Sequence, residues 1–112
     1  VMDWISLEDE SQLDEIITLS GSAPQVIFKH STRCSVSSMV KNRLDKDRVP
    51  GGITFYFLDL IQYRDISNKI AQYFNIRHQS PQILIIQNGK CTYTESHYGI
   101  TMEDIESAAM IS

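Results

Sequence analysis

Val26-Ile27-Phe28-Lys29-His30-Ser31-Thr32-Arg33-Cys34-Ser35-Val36-Ser37 decides the fold. The apolar run reads as a buried strand, Gln25 to Lys29, that passes through a turn into a helix continuing with Met39, Val40 and Leu44. Cys34 thereby falls at a helix N-terminus. Unpaired backbone N–H groups and the positive end of the helix dipole there favour a thiolate over a thiol. Cys34 is the expected nucleophile. Three residues on, where a dithiol exchanger carries a second cysteine, the chain has Ser37. A serine donates or accepts a hydrogen bond but cannot resolve a mixed disulfide, so exchange is expected to stop at one cysteine. Ser37 Oγ and the N–H groups of Val36 and Ser37 are the expected donors to the sulfur.

Outward from that stretch, Ile53 to Leu58 is apolar on both faces and rich in β-branched and aromatic residues, which predicts a strand covered on each side. Asn88-Gly89 predicts a two-residue type I′ turn, joining a strand Ile83 to Ile86 to a second one from Cys91 to His97. Helices fill the intervals. Ser6, with Asp9 three residues later, predicts the cap of a first helix carrying Leu13, Ile16 and Ile17, which Gly21 and Pro24 end. Asp65 is expected to cap a helix carrying Ile66, Ile70, Tyr73 and Phe74, and Thr101 with Asp104 a last one carrying Ile105, Ala108 and Ala109. Trp4-Ile5 is a short edge strand or a packing anchor. Strands separated by helices pair in parallel through right-handed crossovers while the hairpin is antiparallel, so the sheet must be mixed. The predicted fold is α/β, a thioredoxin-like three-layer α/β/α sandwich forming a single domain over residues 1–112.

Composition narrows the function. The 112 residues are 42% hydrophobic and 21% charged, which suits a globular domain with a real core. A net charge of −4 without a Lys/Arg cluster offers no electrostatic footprint for nucleic acid. No apolar run is long enough to cross a bilayer and no segment resembles a secretion signal, so no membrane partner and a cytoplasmic setting are expected. Counting outward from the turn sets Ile86 against Cys91 and Ser80 against His97. Cys91 then lies roughly 15–20 Å from Cys34, at about 3.3 Å per strand residue. A disulfide needs Cα atoms within about 7 Å, so Cys91 is expected to be an inert strand thiol rather than a resolving one. His30 and Cys34 are four apart, but one cysteine and scattered histidines make no ligand set, and no metal is expected.

Pro81 opens the strand predicted to run beside Cys34. A proline there, if its peptide bond is cis, turns the Ser80 backbone outward to pair with an extended substrate. His30 to Ser37, with Ser80-Pro81-Gln82 and Ser96-His97-Tyr98-Gly99-Ile100-Thr101, resembles the YtxJ-type monothiol bacilliredoxin family over nearly the whole chain. The resemblance implies a thioredoxin-fold enzyme that removes bacillithiol from S-thiolated client proteins during oxidative stress, with the small thiol as co-substrate and no bound cofactor. It puts Cys34 on the family nucleophile and Ser37 on its serine, with Thr32, Arg33, Ser80 and Pro81 toward the substrate. Ser35 departs from the family's usual proline, which pre-sets φ at the first helical position. Arg33, Arg77 and His78 either hold a carboxylate-bearing thiol or are solvated loop charges. Asp59 is a candidate buried proton acceptor, and His97 a cap of the sheet. The competing functions are a glutathione-dependent glutaredoxin-like enzyme and a non-catalytic interaction module with a vestigial cysteine.

Overall fold

In the computed structural model, which describes residues 2–110, five strands form one sheet in the order β1-β3-β2-β4-β5. Along the chain come β1 (Ile5–Ser6), α1 (Glu10–Leu19), β2 (Gln25–His30), α2 (Ser35–Lys46), β3 (Thr54–Asp59), α3 (Arg64–Phe74), β4 (Gln82–Gln87), β5 (Lys90–Ser96), a short 3-10 turn (His97–Gly99) and α4 (Met102–Met110). β3 is parallel to β1 and β2, whereas β4 is antiparallel to both β2 and β5. The mixed sheet expected from the connections is the one observed.

β2 and β4 lie inside the sheet, and all six residues of each are buried. Their alternate side chains build two cores. Val26, Phe28, Ile83 and Ile85 pack with Val40 and Leu44 of α2 and Met102 and Ile105 of α4. Ile27, Leu84 and Ile86 pack with Leu13 and Ile16 of α1 and Ile66 and Ile70 of α3. Each fully buried aliphatic side chain contributes about 1.5–3 kcal/mol. Both faces of the sheet are thus closed by a helix pair, and only the strand ends remain for chemistry.

Three local expectations are corrected. α1 is capped by Asp9, whose side chain accepts the Ser11 N–H, while the Gln12 side chain accepts the Asp9 N–H to complete a capping box. Ser6 is drawn instead into the sheet, opposite Phe57, and its hydroxyl donates to Glu8. α3 is capped at Tyr63, with Asp65 inside the first turn. Asp59 is half-buried rather than buried, and its Oδ1 accepts the N–H groups of Ile61 and Gln62, which shapes the turn into α3. The Thr101 cap is as expected, its hydroxyl accepting the Asp104 N–H at 3.2 Å.

The hairpin turn has φ of 52° at Asn88 and 76° at Gly89, the positive pair a type I′ turn requires. Ser20, which caps the C-terminus of α1, fixes this turn by accepting the Asn88 and Gly89 N–H groups, each at 2.9 Å. Beyond the turn the pairing slips by one residue, because Ile86 faces Cys91 but Ile85 faces Tyr93. The bulge at Thr92 puts Cys91 in the α1/α3 core and Tyr93 against the α2/α4 core. Consequently Ser96 faces Gln82, and the His97 N–H donates to the Pro81 carbonyl at 3.0 Å. The expected pairing of His97 with Ser80 is displaced by that one residue.

Candidate active site

Cys34 is the N-cap of α2, with φ −107° and ψ 118°, and is half-buried. Its N–H donates to the Ser31 carbonyl at 3.2 Å, which folds the chain back over the end of β2, and its carbonyl accepts the first helical bond from Ser38. No side chain caps the helix. The first-turn N–H groups of Ser35, Val36 and Ser37 therefore have no intrahelical partner at the helix end that carries Cys34, and the helix dipole adds its positive end there. This is an anion-stabilising position occupied by a thiol. Among the described residues the sulfur itself has no hydrogen-bond partner, and Cys34 and Cys91 are both free thiols.

Ser37 sits one turn into α2 and is fully buried. Its hydroxyl oxygen accepts the Ser31 N–H at 3.1 Å and lies 2.7 Å from His30 Nδ1. The expected hydroxyl donor to Cys34 is thus engaged elsewhere, tying the last residue of β2 to the first turn of α2. His30 is buried among Phe28 and Phe57. Burial, reinforced by the Lys41 ammonium, pushes its pKa below the usual imidazole value, so the ring is neutral at neutral pH. The sequence marked His30 only as a doubtful metal ligand. Its bond to Ser37 spans seven positions and was invisible in the local pattern.

The second wall of the site comes from β4. The last β2–β4 pair is Lys29 with Gln82, and one step beyond it come His30 and Pro81. Pro81 therefore lies at the strand end from which the chain departs toward Cys34. The Ser80–Pro81 peptide bond is cis. The Ser80 hydroxyl oxygen is buried without a hydrogen-bond partner. The 3-10 turn joins this end of the sheet through the His97 N–H bond to the Pro81 carbonyl, and Arg43 Nη2 ties it to α2 by donating to the carbonyls of Tyr98 and Ile100. Exposed Met39 and Tyr98 add apolar surface on these two elements. Thr32 and Arg33 are exposed, and among the described residues neither side chain makes a hydrogen bond or ion pair, which leaves both available to a ligand.

Not every expected residue joins this group. His78 Nδ1 turns inward to Lys29 and lies 3.4 Å from Ser67 Oγ. Lys29 itself, fully buried on the α3 face, was read only as the end of a strand. Cys91 pairs with Ile86 at the far end of the sheet, five positions from Pro81, or about 17 Å at 3.3 Å per residue. Burial raises its pKa, and its sulfur donates to the Tyr93 carbonyl at 3.4 Å. It is neither near Cys34 nor disposed to ionise.

Comparison with known proteins agrees with this arrangement. A solved structure described as a candidate oxidoreductase with a thioredoxin fold is 27% identical, with a TM-score of 0.81, covering 93% of this chain and 91% of that one. The thioredoxins of Malassezia sympodialis and Trypanosoma brucei brucei superpose with TM-scores of 0.71 at 18% and 15% identity. Each comparison covers 97% of this chain, and 90% and 91% of the respective thioredoxin. At that identity they establish the fold alone. The family model described as monothiol bacilliredoxin BrxC matches residues 5–105, which includes every element from β1 through the first turn of α4. The chain belongs to the monothiol bacilliredoxin family.

Proposed function

We propose that this protein is a monothiol thiol-disulfide oxidoreductase that strips a low-molecular-weight thiol, bacillithiol, from S-thiolated client proteins. The observation that carries the reading is Cys34, a half-buried thiol at a helix N-terminus with no second cysteine in reach. In the first step the Cys34 thiolate attacks the small-thiol sulfur of a client–S–S–R bond. The Cys34–S–R bond forms, the client–sulfur bond breaks, and the client leaves as a thiolate that takes its proton from water. In the second step a further R–SH, as thiolate, attacks the R sulfur on Cys34, releasing R–S–S–R and restoring the Cys34 thiolate. The two steps exchange disulfides without net oxidant, and the cytoplasm keeps the second thiol reduced.

The orphan N–H groups of Val36 and Ser37 serve the charged sulfur in both steps. Losing one hydrogen bond to a charged acceptor costs on the order of 1.5–3 kcal/mol, so these donors have the scale to govern the exchange rate. The Ser80 backbone and the Thr32 and Arg33 side chains meet the client and its cap. The choice of bacillithiol over glutathione follows the family. It is tested by loading Cys34 with each thiol in turn and measuring how fast each free thiol clears it. Faster clearance by bacillithiol supports the reading, while equal or faster clearance by glutathione favours a glutaredoxin-like enzyme.

A further inference from the structure

Lys29 and Gln82 are direct cross-strand partners on β2 and β4, so their side chains share the α3 face of the sheet, and both are buried. Both reach the segment between α3 and β4. Lys29 Nζ donates to the Ser67 carbonyl at 3.2 Å and to His78 Nδ1 at 3.3 Å. Gln82 Nε2 donates to the Arg77 carbonyl at 3.0 Å, and Gln82 Oε1 accepts the Gln79 N–H at 3.4 Å. Residues 77–79 are thus held from beneath at three successive positions, and Ser80 and Pro81 follow at once.

A lysine is a costly choice for that place, because an ammonium taken out of water without a carboxylate loses hydration that two neutral acceptors only partly replace. No ion pair relieves it, since among the described residues the ion pairs are Lys41–Asp45 and Lys69–Glu10. Substrate-facing backbone held at a fixed height is a use that offsets such a cost.

We propose that Lys29 is a positioning residue for the thiol exchange: acting through His78, it sets the position of residues 77–80 and so of the Ser80 backbone that receives the client. The inference rests on the reading of Ser80 and Pro81 as the client-binding edge. Because an ammonium only donates, His78 Nδ1 must be the acceptor, so the tether requires a neutral His78 and is strongest with a charged Lys29, whose neutral amine donates more weakly. The groups facing Lys29 are Ser67 of α3, His78, Gln82 of β4 and apolar Leu58 of β3. Those acting on His78 are Lys29 and Arg64. Burial alone brings Lys29 down to about 8, and burial, Lys29 and Arg64 bring His78 below its usual value. The tether therefore operates between the two, in the neutral range.

The test is Lys29→Met in a client de-thiolation assay from pH 6 to 9, with hydrogen exchange of the 77–80 amides followed in parallel. Expected are a KM for the S-thiolated client raised on the order of tenfold at pH 7, the scale of one charge-assisted hydrogen bond, and faster exchange at 77–80. Alkylation of Cys34 by iodoacetamide, which needs no client edge, stays within about twofold. The wild-type KM climbs above about pH 8 as Lys29 discharges, and the variant lacks that climb. His78→Asn, which keeps an acceptor in place of Nδ1, is expected to retain most of the wild-type KM, and His78→Ala to match Lys29→Met. A variant whose KM, pH profile and amide exchange all equal those of the wild type overturns the proposal. A wild type that never turns over the client counts against the proposed function instead, and the tether is then decided by amide exchange alone.

Discussion

His30 Nδ1 lies 2.7 Å from Ser37 Oγ, and the same oxygen accepts the Ser31 N–H. Ser37 stands where a dithiol enzyme has its second cysteine, and its bond to His30 fastens the end of β2 to the start of α2. The nucleophile is consequently held at its N-cap by a buried polar clamp. Ser37→Ala strands the Ser31 N–H and the His30 nitrogen without a partner. The expected loss is about 1–3 kcal/mol in unfolding free energy, read as a lower urea midpoint at unchanged slope. De-thiolation slows and persists, because the backbone donors around Cys34 remain.

Ser37→Cys restores a second thiol one helical turn from Cys34, within the Cα spacing a disulfide accepts. The expected outcome is release of the small thiol from S-thiolated Cys34 with no second thiol added, followed by mass spectrometry. Absence of that release would show the clamp position to be too far from the sulfur for exchange.

The buried lysine has a stability signature of its own. Its folded pKa of about 8 lies below the usual 10.5, so between those values the unfolded chain binds more protons, and this group's contribution to stability rises with pH. Below pH 8 the buried ammonium costs the native state about 3 kcal/mol, from the size of that shift at 1.36 kcal/mol per pH unit. Lys29→Met should therefore be more stable than wild type at pH 7 by up to about that amount, less what is lost with the hydrogen bonds to Ser67 and His78. The advantage should shrink as the pH approaches 10. Tyr56, Tyr93 and Cys91, whose values are raised by burial, act in the opposite sense at alkaline pH. The difference between the two urea midpoints across pH isolates the lysine.

On the acid side the sign is the same. His30 and His78 both have folded values below 6.5, so the unfolded chain takes up more protons as pH falls, and stability drops from about pH 6.5 downward. Two carboxylates are held below their usual value, Asp9 through its bonds to Ser11, and Asp45 through Lys41 and Trp4 against the opposing effect of burial. The window just below pH 6.5 is therefore where these two histidines act. Urea midpoints should fall across it in wild type and fall less in His30→Asn.

The strand Val26–Lys29, the cysteine at the start of a helix and the Asn88-Gly89 turn were legible because each is set by neighbours in sequence: hydrophobic runs, helix ends, positive φ. The α1 cap was not, since Ser6 and Asp9 both satisfy the capping pattern and only the pairing of Ser6 with β3 excludes it. Nothing in Cys91-Thr92-Tyr93 announces a bulge, which arises because Cys91 and Tyr93 each find a core on opposite faces. The partners of Ser37 and Lys29 lie at separations of 7, 38 and 49 positions, distances at which only the packed sheet decides contact. A lysine at the end of a strand expected to be buried was the one available hint.

The most direct test of the central claim is de-thiolation of a bacillithiol-capped client by wild type and by Cys34→Ser, with free bacillithiol supplied as the second thiol. The account predicts turnover by the wild type, a covalent bacillithiol adduct on Cys34 during it, and no turnover by the variant. Equal turnover by both proteins, or an adduct on Cys91 in place of Cys34, would contradict it.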